Sequence, residues 1–272
     1  MSNRLEAAQT SPVRTPVLQT PAERVWRPSE LDCLEEADLG LSKGSDGRLV
    51  ARQVRSKAGA KCDGKWRSRD AQFDFIYVLK GRVTIEHENL GPVTLEEGAT
   101  LLRPRGMKFR ELDHSRDYEG MEIFSTRLFP QDVTFSSAFT KPVVTHDGPH
   151  AYVVGEGERS FFKYRDLGLA ALTNQHCHIH ITRALSRKEG GTGWHYHSMG
   201  QFAFGLSGWA TLDVDNGKSI KVEYGTALSV PPQCSHDVPA YSEDYAVFEL
   251  WLPAHCETVT VAAPASKAAG AI

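Results

Sequence analysis

The sequence predicts an all-β protein built from two tandem copies of one unit, and three observations carry that prediction. The first is an internal repeat. "DLGL" stands at Asp38–Leu41 and again at Asp166–Leu169, an offset of 128 that Trp66 and Trp194 share. From Asp74 onward the offset is 127: "DFIYVLKGRVTI" lies over "QFAFGLSGWATL" from Gln201, and Gly81, Gly98, Pro104, Tyr118 and Glu122 fall on Gly208, Gly225, Pro231, Tyr245 and Glu249. No gap interrupts residues 74–123, and chance does not hold a register that long. The second observation is texture. "FIYVLKG", "RVTIEHE", "PVTLE" and "TALSVPP" alternate or are rich in β-branched and aromatic residues. Gly, Asn-Gly and Pro break them at about the 8–12-residue spacing of a sandwich or barrel. The third is the lack of any long amphipathic helical pattern.

Along the chain, residues 1–20 are polar, lack the apolar core of a secretory signal, and read as a flexible end. Residues 21–145 form the first unit, in which "PSELDCLEEADLG" offers one short helix. Residues 146–262 form the second, where "VDNGKS" carries the Asn-Gly pair of a tight hairpin turn. Residues 263–272 read as a flexible tail. A chain of 272 residues can bury a core in each half, and its net charge of -3 carries no basic footprint for nucleic acid. No stretch approaches the roughly 18 apolar residues of a membrane span. Five cysteines (Cys33, Cys62, Cys177, Cys234, Cys256) are an odd, scattered set, which fits reduced thiols and a cytoplasmic location.

The stretch "GWHYHSMGQFAFGLSG", Gly193–Gly208, places His195 and His197 on one face of a strand and Tyr196 on the other. A pair of histidines two apart is more often accidental than metal-binding, so the surroundings decide. Gln201 follows His197 by four residues and Gly208 follows Gln201 by seven; "GTALSVPPQCSH" then brings Gly225, Pro231 and His236. This pattern resembles the cupin superfamily, whose first motif has the form G-x-H-x-H-x3-E-x6-G and whose second has G-x5-P-x4-H. The second copy fits every fixed spacing. The resemblance implies two tandem jelly-roll β-barrels, a bicupin, with metal ligands at His195, His197 and His236. Gln201 stands where a glutamate is usual. It is expected at the metal site as a catalytic residue, loosely coordinated or hydrogen-bonded to a water or substrate.

Three imidazoles form a neutral ligand set suited to one divalent ion per chain, Fe(II) first, with Zn, Mn, Ni, Co or Cu as alternatives. The three-histidine arrangement is similar to that of β-diketone-cleaving and gentisate- or salicylate-type cupin dioxygenases. The resemblance therefore implies a non-haem Fe(II) dioxygenase that takes O2 and a small-molecule substrate such as a diketone, hydroxy acid or phenolic acid. A Zn-, Mn- or Ni-dependent isomerase, lyase or decarboxylase is the first rival, and a non-catalytic binding cupin the second. No nucleic-acid or membrane partner is expected; a homodimer is an assembly the sequence leaves open.

Carried across the repeat, His195, His197 and His236 become Arg67, Arg69 and Phe109, so the first copy is expected to lack this metal. It reads as a structural partner, or, as a minor alternative, as a receiver of an anion on Arg67 and Arg69. In "HCHIH", His176, His178 and His180 share one strand face, read first as a solvent or subunit-interface face and second as a lining of the barrel. Cys234 reads as a buried filler before a pocket thiol. Trp66, Trp194, Tyr245 and Glu249 recur in both copies and so read as packing. Phe202, Phe204 and Trp209 read as core or wall residues that would make the cavity partly aromatic.

Overall fold

The computed structural model describes residues 15–126, 139–187 and 190–264. Each copy of the repeat is a barrel made from one large and one small antiparallel sheet. The large sheet of the first copy runs, in spatial order, through the strands Val143–Thr145, Thr100–Leu102, Asp74–Lys80, Glu119–Ser125, Leu49–Ser56, Leu34–Asp38 and Arg27–Pro28. That of the second runs through Val17–Gln19, Ala227–Val230, Gly200–Ser207, Ala246–Leu252, His178–Ala184, Phe162–Asp166 and Val153–Val154. Position by position these orders are the same, so the repeat in sequence is a repeat in topology. The small sheets match likewise: Arg67–Ser68, Lys108–His114, Arg82–His87 and Gly91–Glu96 against His195–His197, His236–Tyr241, Trp209–Val214 and Ser219–Glu223. The second small sheet has one further described strand, Thr258–Thr260, beside His195–His197.

The leading strand of each copy is given to the other. Val17–Gln19 precedes the first copy yet pairs with Ala227–Ser229 of the second; Val143–Thr145, within the expected bounds of the first unit, holds the equivalent place in the other large sheet and so leads the second copy, yet pairs with Thr100–Leu102 of the first. Part of the expected flexible N-terminal end is therefore a strand. Each donated segment covers an edge that would otherwise expose unpaired backbone groups. Residues 1–14 and 265–272 of the expected ends lie outside the described residues.

The expected short helix in "PSELDCLEEADLG" is instead the strand Leu34–Asp38. The helix-like spacing of Leu31 and Leu34 loses to a cross-strand partner. Leu34–Asp38 pairs with Arg52–Ser56, where Arg55 bonds Glu35 at 2.8 Å and Arg52 bonds Glu36 at 2.6 Å. The repeated "DLGL" forms the same tight turn in both copies. The carboxylates of Asp38 and Asp166 accept the amides of Gly40 and Gly168, whose φ values of +76° and +72° are left-handed. Single helical turns, Leu41–Gly44 and Leu169–Leu172, then send Leu41 and Leu169 into the core. The Asn216–Gly217 pair does turn a hairpin between Trp209–Val214 and Ser219–Glu223.

The two large sheets face each other across one shared apolar core. Phe73, Phe75, Tyr77, Met121 and Ile123 of the first copy meet Ile179, Ile181, Phe202, Phe204, Phe248 and Leu250 of the second. The rings of Phe75 and Tyr77 lie 6.1 and 5.7 Å from that of Phe248. Burial of each such side chain contributes about 1.5–3 kcal/mol. Phe202 and Phe204 thus face the other barrel, whereas Gln201 and Ala203 point the opposite way, into the interior of their own. Trp209 is exposed. Phe202 and Phe204 are thus core residues, as the sequence reading allowed, but none of these three aromatics lines the cavity of the second barrel as it also expected.

Candidate metal centre

The segment that carries His195 is held down by a close approach. Gly191 has φ +65°, and a Cβ there would lie 2.2 Å from the Val238 carbonyl oxygen, so only glycine fits. The Thr192 hydroxyl bonds the Asp237 carboxylate and accepts the Val238 amide, each at 3.1 Å. These contacts dock the turn on the strand His236–Tyr241 and place His195 directly opposite His236. His197 lies two residues on, on the same face. All three rings are buried, their centroids are 4.5–5.2 Å apart, and their candidate ligand atoms lie within 4.8 Å of one another.

The remaining ring nitrogens are anchored. Nδ1 of His195 faces the Gly193 carbonyl at 2.6 Å, Nδ1 of His236 the Cys234 carbonyl at 2.9 Å, and Nδ1 of His197 the Thr258 hydroxyl at 3.1 Å. Bonds to carbonyls make Nδ1 the donor of His195 and His236 and leave Nε2 with the lone pair, the arrangement that orients imidazole ligands. Burial, reinforced by the neighbouring His236, pushes His195 down to about 3 and His197 to about 4, and burial lowers His236 too. The rings are neutral, as metal binding requires. The residues fit a divalent metal held by three imidazoles.

The histidines open on a cavity of about 370 Å³. Phe162, Leu212, Val222, Leu228, Val230, Val238, Tyr245 and Val247 give it apolar walls; Arg159, Tyr164, His178, His180, Gln201, Glu249, Trp251 and Thr258 supply polar groups. Gln201 is therefore at the site, and its amide nitrogen donates to Oε1 of Glu249. The other Glu249 oxygen takes His180 Nε2 at 2.8 Å and the Thr182 hydroxyl at 2.6 Å. Burial alone would raise the Glu249 pKa; His180 beside it and these hydrogen bonds outweigh burial and hold it at about 2.

The structure corrects several sequence readings. His178 and His180 line the cavity rather than a solvent face, while His176 is not among its lining residues. Glu249 and Tyr245 read as packing because they repeat as Glu122 and Tyr118, yet both reach the cavity. The cavity's aromatics are Phe162, Tyr164, Tyr245 and Trp251. Cys234 is the buried filler expected, packed with Leu212, Val214 and Leu228. Arg159, Trp251 and Thr258 belong to no motif, and nothing in the sequence singles them out.

In the first barrel the equivalent positions close on themselves. Arg69 and Arg52, at the places of His197 and His180, both bind Glu122, at 3.1 and 2.8 Å. Asp74, at the place of Gln201, takes Arg69 and Arg103, and the Arg103 guanidinium lies 3.6 Å over the ring of Phe109. Arg67 turns to Asp63 at 2.6 Å. Carboxylates of the chain itself satisfy both arginines, so nothing here favours their holding an external anion.

Residues 185–253, which contain all three histidines, match the family described as Cupin domain. That match spans about a quarter of the chain and lies within the second barrel. Solved structures extend the likeness of fold to nearly the whole chain. Protein Ylba from E. coli is 17% identical with a TM-score of 0.65, covering 91% of this chain and 96% of its own. A putative glyoxylate-induced protein from Pseudomonas aeruginosa is 12% identical with a TM-score of 0.67, covering 93% and 94%. An oxalate decarboxylase of Bacillus subtilis with Mn(II) centres is 13% identical with a TM-score of 0.60, covering 90% and 79%. At such identities the likeness is one of fold. No curated protein matches the sequence. Among the described residues, no helix is long and apolar enough to cross a membrane.

Proposed function

We propose that the protein is a bicupin metalloenzyme whose second barrel binds one divalent metal through His195, His197 and His236, and that it acts as a non-haem Fe(II) dioxygenase on a small anionic oxygenated substrate. The observation that carries this reading is the uncharged ligand set beside a mostly apolar cavity: three neutral imidazoles leave the ion its full charge. Bound there, the metal would supply Lewis acidity and, as iron, redox chemistry towards O2. The chain supplies the rest. Arg159 at the cavity offers a guanidinium to a substrate carboxylate or enolate. Glu249 fixes Gln201 by taking one of its amide hydrogens, which leaves the Gln201 carbonyl oxygen to position a hydroxyl or water. The apolar walls limit bulk water.

A second reading, a Mn- or Zn-dependent decarboxylase, isomerase or lyase, draws support from one feature. Glu249 puts a carboxylate in the cavity, and such chemistry needs a proton to be moved. Metal analysis of anaerobically purified protein, then O2-uptake assays across diketones, hydroxybenzoates and keto acids, tests both. The Fe(II) form should consume O2 with one substrate class, and the Zn(II) form should bind that substrate without turning it over. Full turnover by the Zn form without oxygen would overturn the dioxygenase in favour of the second reading.

A further inference from the structure

The first barrel lacks the histidine triad, but it gathers three other metal-ligating side chains. Cys33 precedes the strand Leu34–Asp38, Cys62 lies in the loop before Arg67–Ser68, and His114 ends the strand Lys108–His114. Their ligand atoms lie within 4.8 Å of one another, and the two sulfurs are 3.3 Å apart. Cys33 is buried and Cys62 half-buried, so the cluster is enclosed on one side and reachable from the other. Nδ1 of His114 faces the Ser115 carbonyl at 3.1 Å, which leaves Nε2 buried, with the lone pair, and the Cys33 thiol as its neighbour. Glu111, 3% exposed, has a buried carboxylate oxygen without a partner, and it lies close enough to act electrostatically on Cys62 and His114. Buried polar atoms left unpaired are costly unless something binds them.

The duplication supplies an internal control. In the second barrel the places of Cys33, Cys62 and His114 belong to Phe161, Gly190 and Tyr241. There, Phe161 and Tyr241 stack with ring centroids 6.3 Å apart inside an aromatic cluster. The fold needs only apolar bulk at this spot. The first barrel sets two thiols and an imidazole from three separate segments at these places; the thiols also pack on the apolar cluster of Leu31, Leu34 and Val54, but packing alone does not call for an imidazole beside them.

We propose that Cys33, Cys62 and His114 form a second metal site, for a soft ion of the Zn(II) type, with Glu111 or water completing a tetrahedron. Two thiolates at about 2.3 Å from zinc stand roughly 3.8 Å apart in a tetrahedral site, so the sulfurs need open by only about half an ångström. A disulfide would need them to close by more than an ångström and would leave the imidazole and carboxylate without a purpose. The expectation of one metal per chain rests on positions equivalent to the triad, and this cluster lies elsewhere.

The test uses the full chain, reduced, with His195→Ala, His197→Ala and His236→Ala combined to clear the other site. That variant should keep one equivalent of Zn(II) after dialysis. Cobalt(II) in its place should give a thiolate-to-metal charge-transfer band, and X-ray absorption should show sulfur near 2.3 Å and nitrogen near 2.0 Å, each value approximate to about a tenth of an ångström. Adding Cys33→Ser and Cys62→Ser should abolish binding, and His114→Gln should weaken it roughly tenfold or more. Should the serine variants not fold, the cobalt spectrum of the otherwise unsubstituted chain decides alone. No charge-transfer band there, no zinc retained by the triad-free chain, or a Cys33–Cys62 disulfide whose reduction brings no zinc affinity would each overturn the proposal. Because the triad is absent from the key variant, the outcome is independent of the function proposed for the second barrel.

Discussion

At the scale of single residues, the two barrels are one design with its charges exchanged. Glu122 and Glu249 occupy the same place, yet the first sits between Arg52 and Arg69 and the second meets His180, Thr182 and Gln201. A buried carboxylate must have partners, and permanent guanidinium charges fill that need while excluding a cation. One imidazole, a hydroxyl and an amide meet it in the second barrel and still leave room for a cation. Gln201 then tunes the site without founding it. Gln201→Ala should keep most metal affinity, since three imidazoles remain, while turnover falls roughly tenfold to a hundredfold; equal metal loss in Gln201→Ala and His236→Ala would make Gln201 a true ligand. Arg159→Ala should raise KM by about 10–100-fold, the range of a lost charge-assisted hydrogen bond of roughly 1.5–3 kcal/mol, with a smaller change in kcat. An unchanged KM would remove Arg159 from substrate binding. The triad is legible in the sequence because strand alternation and fixed turns hold ligands at fixed spacings. Glu249 is not, because recurrence in a copy without the triad points to packing. The same carboxylate performs packing in one copy and lines the cavity in the other.

At the scale of elements, local pattern and long-range pairing compete, and pairing wins where the two disagree. The segment ending in "CLEEADLG" has helix-like apolar spacing, but Arg52 and Arg55 on the next strand meet Glu36 and Glu35 and hold it extended. The strand Val17–Gln19 is too short and too remote from its partner to be read from sequence, because Ala227–Val230 lies some 200 residues on. Turns are readable for the opposite reason: the conformations of Gly40, Gly168 and Gly217 are set within a few residues. The donated strand covers the edge of the barrel that carries the histidines. Leu18 pairs with Leu228 and packs against the cluster of Leu212, Val230 and Cys234. Leu18→Pro removes ladder hydrogen bonds and part of that packing, and should cost about 2 kcal/mol. It should lower the denaturant midpoint and release metal from the second barrel at lower denaturant than in the parent chain. An unchanged midpoint would show the exchanged strand to be incidental to stability.

At the scale of the whole molecule, the core shared by the large sheets makes the barrels one folding unit. Phe75 and Tyr77 of one copy are buried against Phe248 of the other, so either barrel alone would expose a face that is apolar along its length. The leading strands cross in both directions and tie the copies again. This coupling gives the first barrel a function even where its own cavity is closed by salt bridges: it is the surface that holds the large sheet of the barrel whose small sheet carries the triad. Stability gained at the histidine triad must then be felt across the chain. A metal bound to the native state alone, at a hundred times its Kd, stabilises by about 2.7 kcal/mol. For a chain of this size that should raise the melting temperature by roughly 5–10 °C. Calorimetry should show one transition that moves as a whole on metal addition, and His236→Ala should abolish the part of the shift owed to the triad. Two transitions, of which only one responds to the triad's metal, would mean that the barrels unfold independently and that the shared core does not couple them.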